Sequence, residues 1–269
     1  MTGHKVSFVI LTWNSENTIG ESLRGIRDTC ALESIDYDIF VVDNGSKDGT
    51  LANIEAFSAD IPITLIRLPK NIGTTKPRNM VLRQCTGDIV CVLDSDAVFR
   101  EGSLTALIDK LTGDDSIGIL APRLIFPDGR IQKSVRKFPS VVGKFSKIPG
   151  IIFKLKYRDL DAYKDFPFTE TTTVDYAISA CWFFRRSLLD EAGLLDEHIF
   201  YAPEDVDYCI RIWKLGKKTV YYPHFTVIHH VQRLTHKKIF GKIALSHLLG
   251  LIYYFLKHRY ISKPTRETP

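Results

Sequence analysis

Cysteine is scarce in this chain of 269 residues. Cys30, Cys85, Cys91, Cys181 and Cys209 are odd in number and scattered, with no Cys-x-x-Cys among them. That pattern argues against a disulfide framework and against a cysteine zinc site, and each thiol reads as a small buried apolar side chain in a reduced, cytoplasmic protein. Long apolar runs are also missing. No stretch reaches the roughly eighteen uninterrupted apolar residues of a membrane-spanning helix. The first apolar run, residues 6–13, lacks a small-residue cleavage site and passes straight into Asn14-Ser15-Glu16, so it reads as a strand and not as a signal peptide. There is no internal repeat and no low-complexity tract. The Gly-rich, lysine-containing phosphate loop that nucleotide-activating enzymes carry after their first strand is absent too.

What is present suits one large domain, or one domain with an appendage. The net charge is +5, and the excess is concentrated in residues 130–158 and 233–259. Local basic excess implies anionic partners, either phosphate groups or an anionic lipid surface; nothing in it suggests a nucleic acid.

Between residues 5 and 121 strand and helix signals alternate. Apolar runs at 6–11, 37–42, 63–68, 89–93 and 117–121 predict strands. The segments 16–27, 47–57, 76–84 and 103–111 predict helices, with Ser15 as a cap for the first and Pro77 in the first turn of the third. That order predicts an α/β fold with a mostly parallel sheet and helices on both faces. After Pro122 the pattern weakens. Phe126-Pro127-Asp128-Gly129-Arg130 is a turn signal, and 139–172 is a basic, aromatic, irregular excursion from the sheet. A strand-like run at 173–184, a short helix at 186–192, an amphipathic helix at 205–215 and a strand at 219–227 follow. Residues 237–260 are helical in propensity and apolar on most sides, with Lys237, Lys238 and Lys242 at one end and Lys257, His258 and Arg259 at the other. Such a helix either lies on a membrane surface or packs on the domain or a second subunit.

The chemistry-bearing residues cluster at strand ends, where open α/β sheets bind ligands. Asp94 and Asp96 close the fourth strand as Asp94-Ser95-Asp96. Taken alone this is a polar turn; in this position it is also a pair of carboxylates able to hold a magnesium ion against a diphosphate. Leu11-Thr12-Trp13-Asn14 and Asp43-Asn44-Gly45-Ser46 end the first two strands, where Asp43 could accept hydrogen bonds from a base or ribose. Lys76 and Arg78 sit at a helix start, a place that favours an anion. Glu204, Asp205 and Asp207 crowd the first turn of another helix, more acid than the helix dipole calls for, after an aromatic loop at 195–202 suited to an acceptor site. A carboxylate there could act as general base. His229 follows the last strand as a metal or phosphate contact, or as an ordinary loop histidine.

These motifs in this order resemble the family 2 glycosyltransferases of the GT-A fold. The pieces are Val9-Ile10-Leu11-Thr12-Trp13-Asn14, Val41-Val42-Asp43-Asn44-Gly45-Ser46-Lys47-Asp48-Gly49-Thr50, residues 71–79, Asp94-Ser95-Asp96, Glu204-Asp205-Val206-Asp207 and His229, so the resemblance covers roughly residues 5–230. The segment from Asp128 to Pro139 is similar to the rhamnosyltransferase-like branch, which acts on lipid-linked acceptors. The resemblance implies an inverting, metal-dependent transfer of a sugar from a nucleoside diphosphate (dTDP, UDP or GDP) to a glycan or polyprenyl-diphosphate-linked acceptor, with Mg²⁺ or Mn²⁺ as cofactor. It assigns Thr12, Asn14, Asp43 and Asn44 to the nucleotide, Lys76 and Arg78 to the nucleotide or its phosphates, and Asp94 and Asp96 to the ribose and the metal. His229 goes to the metal or diphosphate, and Asp205 is the base, with Glu204 and Asp207 as rivals. The chain departs from the family pattern at Thr74-Thr75-Lys76-Pro77, where small residues are common, and at residues 230–235, where Gly-x-Ser is common.

The expected organisation is a GT-A domain over 1–235, divided into a nucleotide-sugar half (1–122) and an acceptor and catalytic half (123–235), then a basic amphipathic helix and tail over 236–269. That helix would give peripheral contact with the inner face of the cytoplasmic membrane, or a homodimer. Two rivals stand beside this. One is a phosphatase, whose nucleophilic Asp usually follows the first strand and not the fourth. The other is a non-catalytic sugar-nucleotide-binding or membrane scaffold of the same fold.

Overall fold

The computed structural model describes residues 3–145, 159–231 and 242–259. The parts of the two basic stretches at 146–158 and 232–241, and the ends of the C-terminal segment, lie outside the described residues. Eleven strands are described: β1 (Val6–Thr12), β2 (Tyr37–Asp43), β3 (Ile63–Arg67), β4 (Ile89–Asp94), β5 (Ala97–Glu101), β6 (Ile117–Ile125), β7 (Val135–Arg136), β8 (Thr172–Val174), β9 (Tyr176–Ala177), β10 (Cys181–Arg185) and β11 (Lys218–His229). The helices are α1 (Ile19–Glu33), α2 (Thr50–Phe57), α3 (Thr75–Leu82), α4 (Leu104–Thr112), α5 (Val141–Phe145), α6 (Leu188–Ala192), α7 (Glu204–Lys214) and α8 (Lys242–His258).

Nine strands form one sheet in the order β3-β2-β1-β4-β10-β6-β11-β5, with β8 alongside β11. The first four run parallel, as the βαβ pattern requires. The second half is mixed: β10 is antiparallel to both β4 and β6, β11 is parallel to β6, and β5 and β8 are antiparallel to β11. Strand periodicity splits the apolar residues between two cores. Phe8, Ile10, Ile39 and Val41 face α1, α2 and α4, whereas Val9, Phe40 and Val42 face α3, α6, α7 and α8. In α1 the buried residues Ile19, Leu23, Ile26 and Cys30 recur at helical spacing on one face.

Several boundaries differ from the sequence expectation. Ser15 does not cap α1 with its side chain; instead its carbonyl accepts the N–H groups of Thr18 and Ile19, and the helix begins at Ile19. The run 173–184 is broken into β8, β9 and β10, because Asp175 and Ser179 interrupt its apolar pattern. β11 continues through Pro223 by a register shift between Tyr222 and Thr226, the bulge that a proline without an N–H demands. β5 was not expected at all. It follows β4 after two residues and pairs with the end of β11.

The C-terminal segment packs on the domain. Tyr254 of α8 is fully buried in the second core, while Leu245, Leu248, Leu249, Ile252 and Leu256 form an exposed stripe on another face. Among the described residues no helix is long and apolar enough to cross a membrane.

Candidate active site

A cavity of about 480 Å³ opens at the carboxyl ends of β1 and β4. Thr12, Asn44, Arg78, Asp94, Asp96, Glu204, Asp205 and His229, from six separate stretches of chain, line it.

The carboxylate–histidine corner is built by strand pairing. Asp94 ends β4 and Asp96 immediately precedes β5, whose Ala97 is the register partner of His229 on β11. The Asp96 carbonyl accepts the His230 N–H at 2.9 Å, which pins the two ends together. His229 Nε2 then stands 3.4 Å from Asp96 Oδ1 and 3.9 Å from Asp94 Oδ2. One ligand atom from each of the three residues falls within 4.8 Å of the others. Two carboxylate oxygens and one imidazole nitrogen suit Mg²⁺ or Mn²⁺, and open directions toward the cavity would leave room for substrate phosphates. The nearby carboxylates raise the His229 pKa even though burial opposes it, as a site built to receive positive charge should. Burial and the neighbouring Asp96 raise Asp94, against the pull of Arg78.

Arg78 does not reach into open space. Its guanidinium is 3% exposed, pairs with Asp94 Oδ1, and donates to Ser179 Oγ at 3.2 Å and Glu204 Oε1 at 3.4 Å. It thereby ties the metal corner to the first turn of α7. The rest of α3 holds the aromatic loop. Thr74 N–H donates to the Phe200 carbonyl at 2.7 Å, Thr75 Oγ1 to that of Ile199 at 2.7 Å, and Asn79 Nδ2 to that of Leu195 at 2.8 Å. Gly73, with φ at +99°, lets the loops meet: a Cβ there would sit 2.3 Å from the Phe200 oxygen. At this helix start Arg78 and the threonines serve carboxylates and loop carbonyls, and Arg78 also lines the cavity. Lys76 is exposed and lies outside the cavity lining.

Three acids of one helix turn have separate fates. Asp205 is half-buried on the cavity wall, and desolvation raises its pKa to about 6 although the Val206 N–H bonds to it at 2.8 Å. Glu204 is buried against Arg78 and Ser179, and burial together with the charge of Asp205 lifts it to about 8. Asp207 faces the other way. It is fully buried and accepts from Arg211 Nε at 3.0 Å, Lys257 Nζ at 2.6 Å and His258 Nε2 at 2.9 Å; against burial, those hydrogen bonds and the charges of Arg211 and Lys257 hold it below the usual carboxylate range. It lies outside the cavity lining, and its bonds to Lys257 and His258 anchor α8.

The nucleotide assignments divide in the same way. Thr12 lines the cavity, and its buried Oγ1 has no hydrogen-bond partner. Asn44 lines it as well, but its amide is committed to the Gly73 carbonyl (2.8 Å) and the Ile72 N–H (2.9 Å). Asp43 is 1% exposed and accepts the Ser46 N–H at 3.1 Å, closing the turn after β2, and Asn14 Oδ1 accepts the Lys47 N–H. Neither Asp43, which is buried, nor Asn14, which is exposed, belongs to the lining. Trp13, from the Leu11–Asn14 segment, and Tyr201, from the aromatic loop, also line the cavity; sequence reasoning missed Ser179, which lines it from a loop without a motif, and the Ser15–Ser95 hydroxyl pair at 2.8 Å that joins the loops after β1 and β4.

A family model described as glycosyl transferase family 2 matches residues 7–193. The N-acetylglucosaminyl-diphospho-decaprenol L-rhamnosyltransferase of Mycobacterium tuberculosis is 27% identical over 233 residues, 82% of this chain and 75% of that protein. Solved structures show the same fold. TarS from S. aureus superposes with a TM-score of 0.59 at 21% identity, covering 84% of this chain and 37% of TarS. The mannosyltransferase PcManGT from Pyrobaculum calidifontis, solved with GDP-Man and Mn²⁺, superposes with a TM-score of 0.64 at 19% identity, covering 97% of this chain and 66% of that one. The chain thus spans just over a third of TarS and just under two thirds of the mannosyltransferase.

Proposed function

Because the chain belongs to glycosyl transferase family 2, we propose that it moves a sugar, rhamnose or another hexose, from a nucleoside diphosphate to a hydroxyl of a lipid-linked glycan in cell-envelope synthesis, with inversion and with Asp205 as general base. The observation that carries the reading is that Asp205 lines the same cavity as Asp94, Asp96 and His229, so base and leaving-group ends share one chamber.

Residues 1–122 would hold the donor and residues 123–235 the acceptor. Asp94, Asp96 and His229 fit a divalent ion, Mg²⁺ or Mn²⁺, which when bound supplies Lewis-acid stabilisation of the departing diphosphate, worth several kcal/mol. Thr12 Oγ1 offers the nucleotide a free hydroxyl. Asp205, with a pKa near 6, is largely ionised at neutral pH yet basic enough to take a proton from the acceptor hydroxyl as it attacks. Glu204, whose pKa is raised by burial and by the charge of Asp205, stays with Arg78 and Ser179 as a brace. Arg78 fixes Asp94 in place and adds fixed positive potential where negative charge develops. The loop 199–202 closes the acceptor side with Phe200 and Tyr201, which exclude water and orient a ring.

The exposed leucine stripe of α8 would face the membrane that carries a lipid-linked acceptor. The test is product analysis with a panel of sugar nucleotides, Mn²⁺ and a polyprenyl-diphosphate glycan. The expected product is nucleoside diphosphate, released only when acceptor is present. Inorganic phosphate, pyrophosphate, or donor binding without turnover would overturn the proposal.

A further inference from the structure

We propose that Gln132 is the positioning residue of His229: its side-chain carbonyl fixes the ring proton on Nδ1 and leaves the Nε2 lone pair for the cation held with Asp94 and Asp96. The inference rests on the metal reading above and adds a residue to it.

Gln132 Oε1 lies 2.9 Å from His229 Nδ1, on the ring edge opposite the carboxylates. That contact is built by the backbone. Beyond β6 the chain reverses through a turn closed by Phe126 N–H to the Arg130 carbonyl (2.8 Å) and Gly129 N–H to the Phe126 carbonyl (2.9 Å). It returns antiparallel, with Ile131 bridging Ile125 and Gln132 N–H on the Leu124 carbonyl at 2.8 Å. Since β6 pairs with β11 so that Ile125 is level with Ile228, the returning strand delivers Gln132 beside His229.

The need for such a residue follows from the imidazole's two nitrogens. A neutral ring carries one proton, and a metal at Nε2 requires it on Nδ1. His229 is buried, so that N–H needs an acceptor inside the protein. Asp96, 3.4 Å from Nε2, pulls the proton the wrong way in the absence of a cation. The Gln132 carbonyl opposes that pull, the usual part of an outer-shell partner of a metal-ligating histidine.

Two readouts test this on the full chain. In ¹⁵N NMR of the metal-free protein at alkaline pH, the neutral His229 ring is expected to show Nδ1 protonated and Nε2 free. In Mn²⁺ titrations, with and without nucleoside diphosphate, Gln132→Leu is expected to weaken binding by about 10–100-fold, and Gln132→Glu, which keeps the acceptor, to restore it. Melting curves of both variants identify any loss through unfolding. An Nε2-protonated ring, or Gln132→Leu that is folded and binds Mn²⁺ like the wild type, would overturn the proposal while leaving the metal site standing. A wild-type chain that binds no Mn²⁺ under any of these conditions would overturn the site itself and the proposal with it.

Discussion

Gly250 of α8 lies directly against the carbonyl of Ala202, so closely that a Cβ would stand 2.2 Å from the oxygen. Ala202 lines the cavity on its other side, two residues before Glu204. The C-terminal helix therefore presses on the back of the aromatic loop at 195–202. Lys257 reinforces the contact by bonding Asp196, at the start of that loop, and Asp207, in the first turn of α7, at 2.6 Å each.

Substituting Gly250→Val should push the helix and the loop apart, because backbone is what the new side chain meets. The expected result is a several-fold rise in acceptor KM with donor affinity unchanged. Initial rates at varied acceptor, beside donor calorimetry, separate the two, and equal effects on both ligands would contradict the coupling.

Asp205→Asn should lower kcat by about 10²–10⁴-fold while the donor still binds. In the wild type kcat/KM should fall below about pH 6, where the base becomes protonated. The same group bears on stability. Its pKa is raised from 3.8 to about 6 on folding, so its stabilising contribution is present below 3.8 and lost as pH rises through 6. At pH 7 the Asn variant should melt a few °C higher than wild type, a gain that vanishes in acid. Turnover within a few-fold of wild type would remove Asp205 from the base role.

Asp207 runs with the opposite sign. Hydrogen bonds from His258 and Lys257 and the charges of Arg211 and Lys257 depress its pKa below 3.8 against burial, so its contribution is present above that value and disappears as pH falls below it toward the folded value. Asp207→Ala leaves Arg211, Lys257 and His258 facing each other and should cost about 3–5 kcal/mol. Urea denaturation would measure the loss, and an unchanged midpoint would refute the anchoring role.

Chelation should abolish transfer, and added Mn²⁺ or Mg²⁺ should restore it. Asp96→Asn should resist that rescue at concentrations that suffice for wild type. Activity indifferent to EDTA would count against the cation clamp.

Replacing Leu248, Leu249 and Ile252 together with serine should reduce co-sedimentation with anionic vesicles and leave melting unaltered, since all three side chains are exposed. Equal partitioning of variant and wild type would release the helix from the membrane argument.

The amino-acid sequence determined the parallel half of the sheet, because buried parallel strands are continuous apolar runs and their ends carry the polar residues. Asp94 and Asp96 stood out for that reason, whereas His229 stood out at the end of the last strand and Asp205 as one of three acids in a helix's first turn. Local pattern cannot say which way a helix turns in its final packing. Asp205 and Asp207 are two positions apart, hence nearly opposite on α7, and only docking of α8 assigned Asp207 to structure. Nor can it show which charges meet. Arg78 meets Asp94 and Glu204 across 16 and 126 residues of chain, pairings that no local pattern announces. β5 escaped notice because five residues with two charges make a weak strand signal, yet its pairing with β11 is what brings Asp96 to His229. Strand ends come from local hydrophobicity; the partners of each charged group come from long-range pairing, which burial energy selects only when the whole chain is folded.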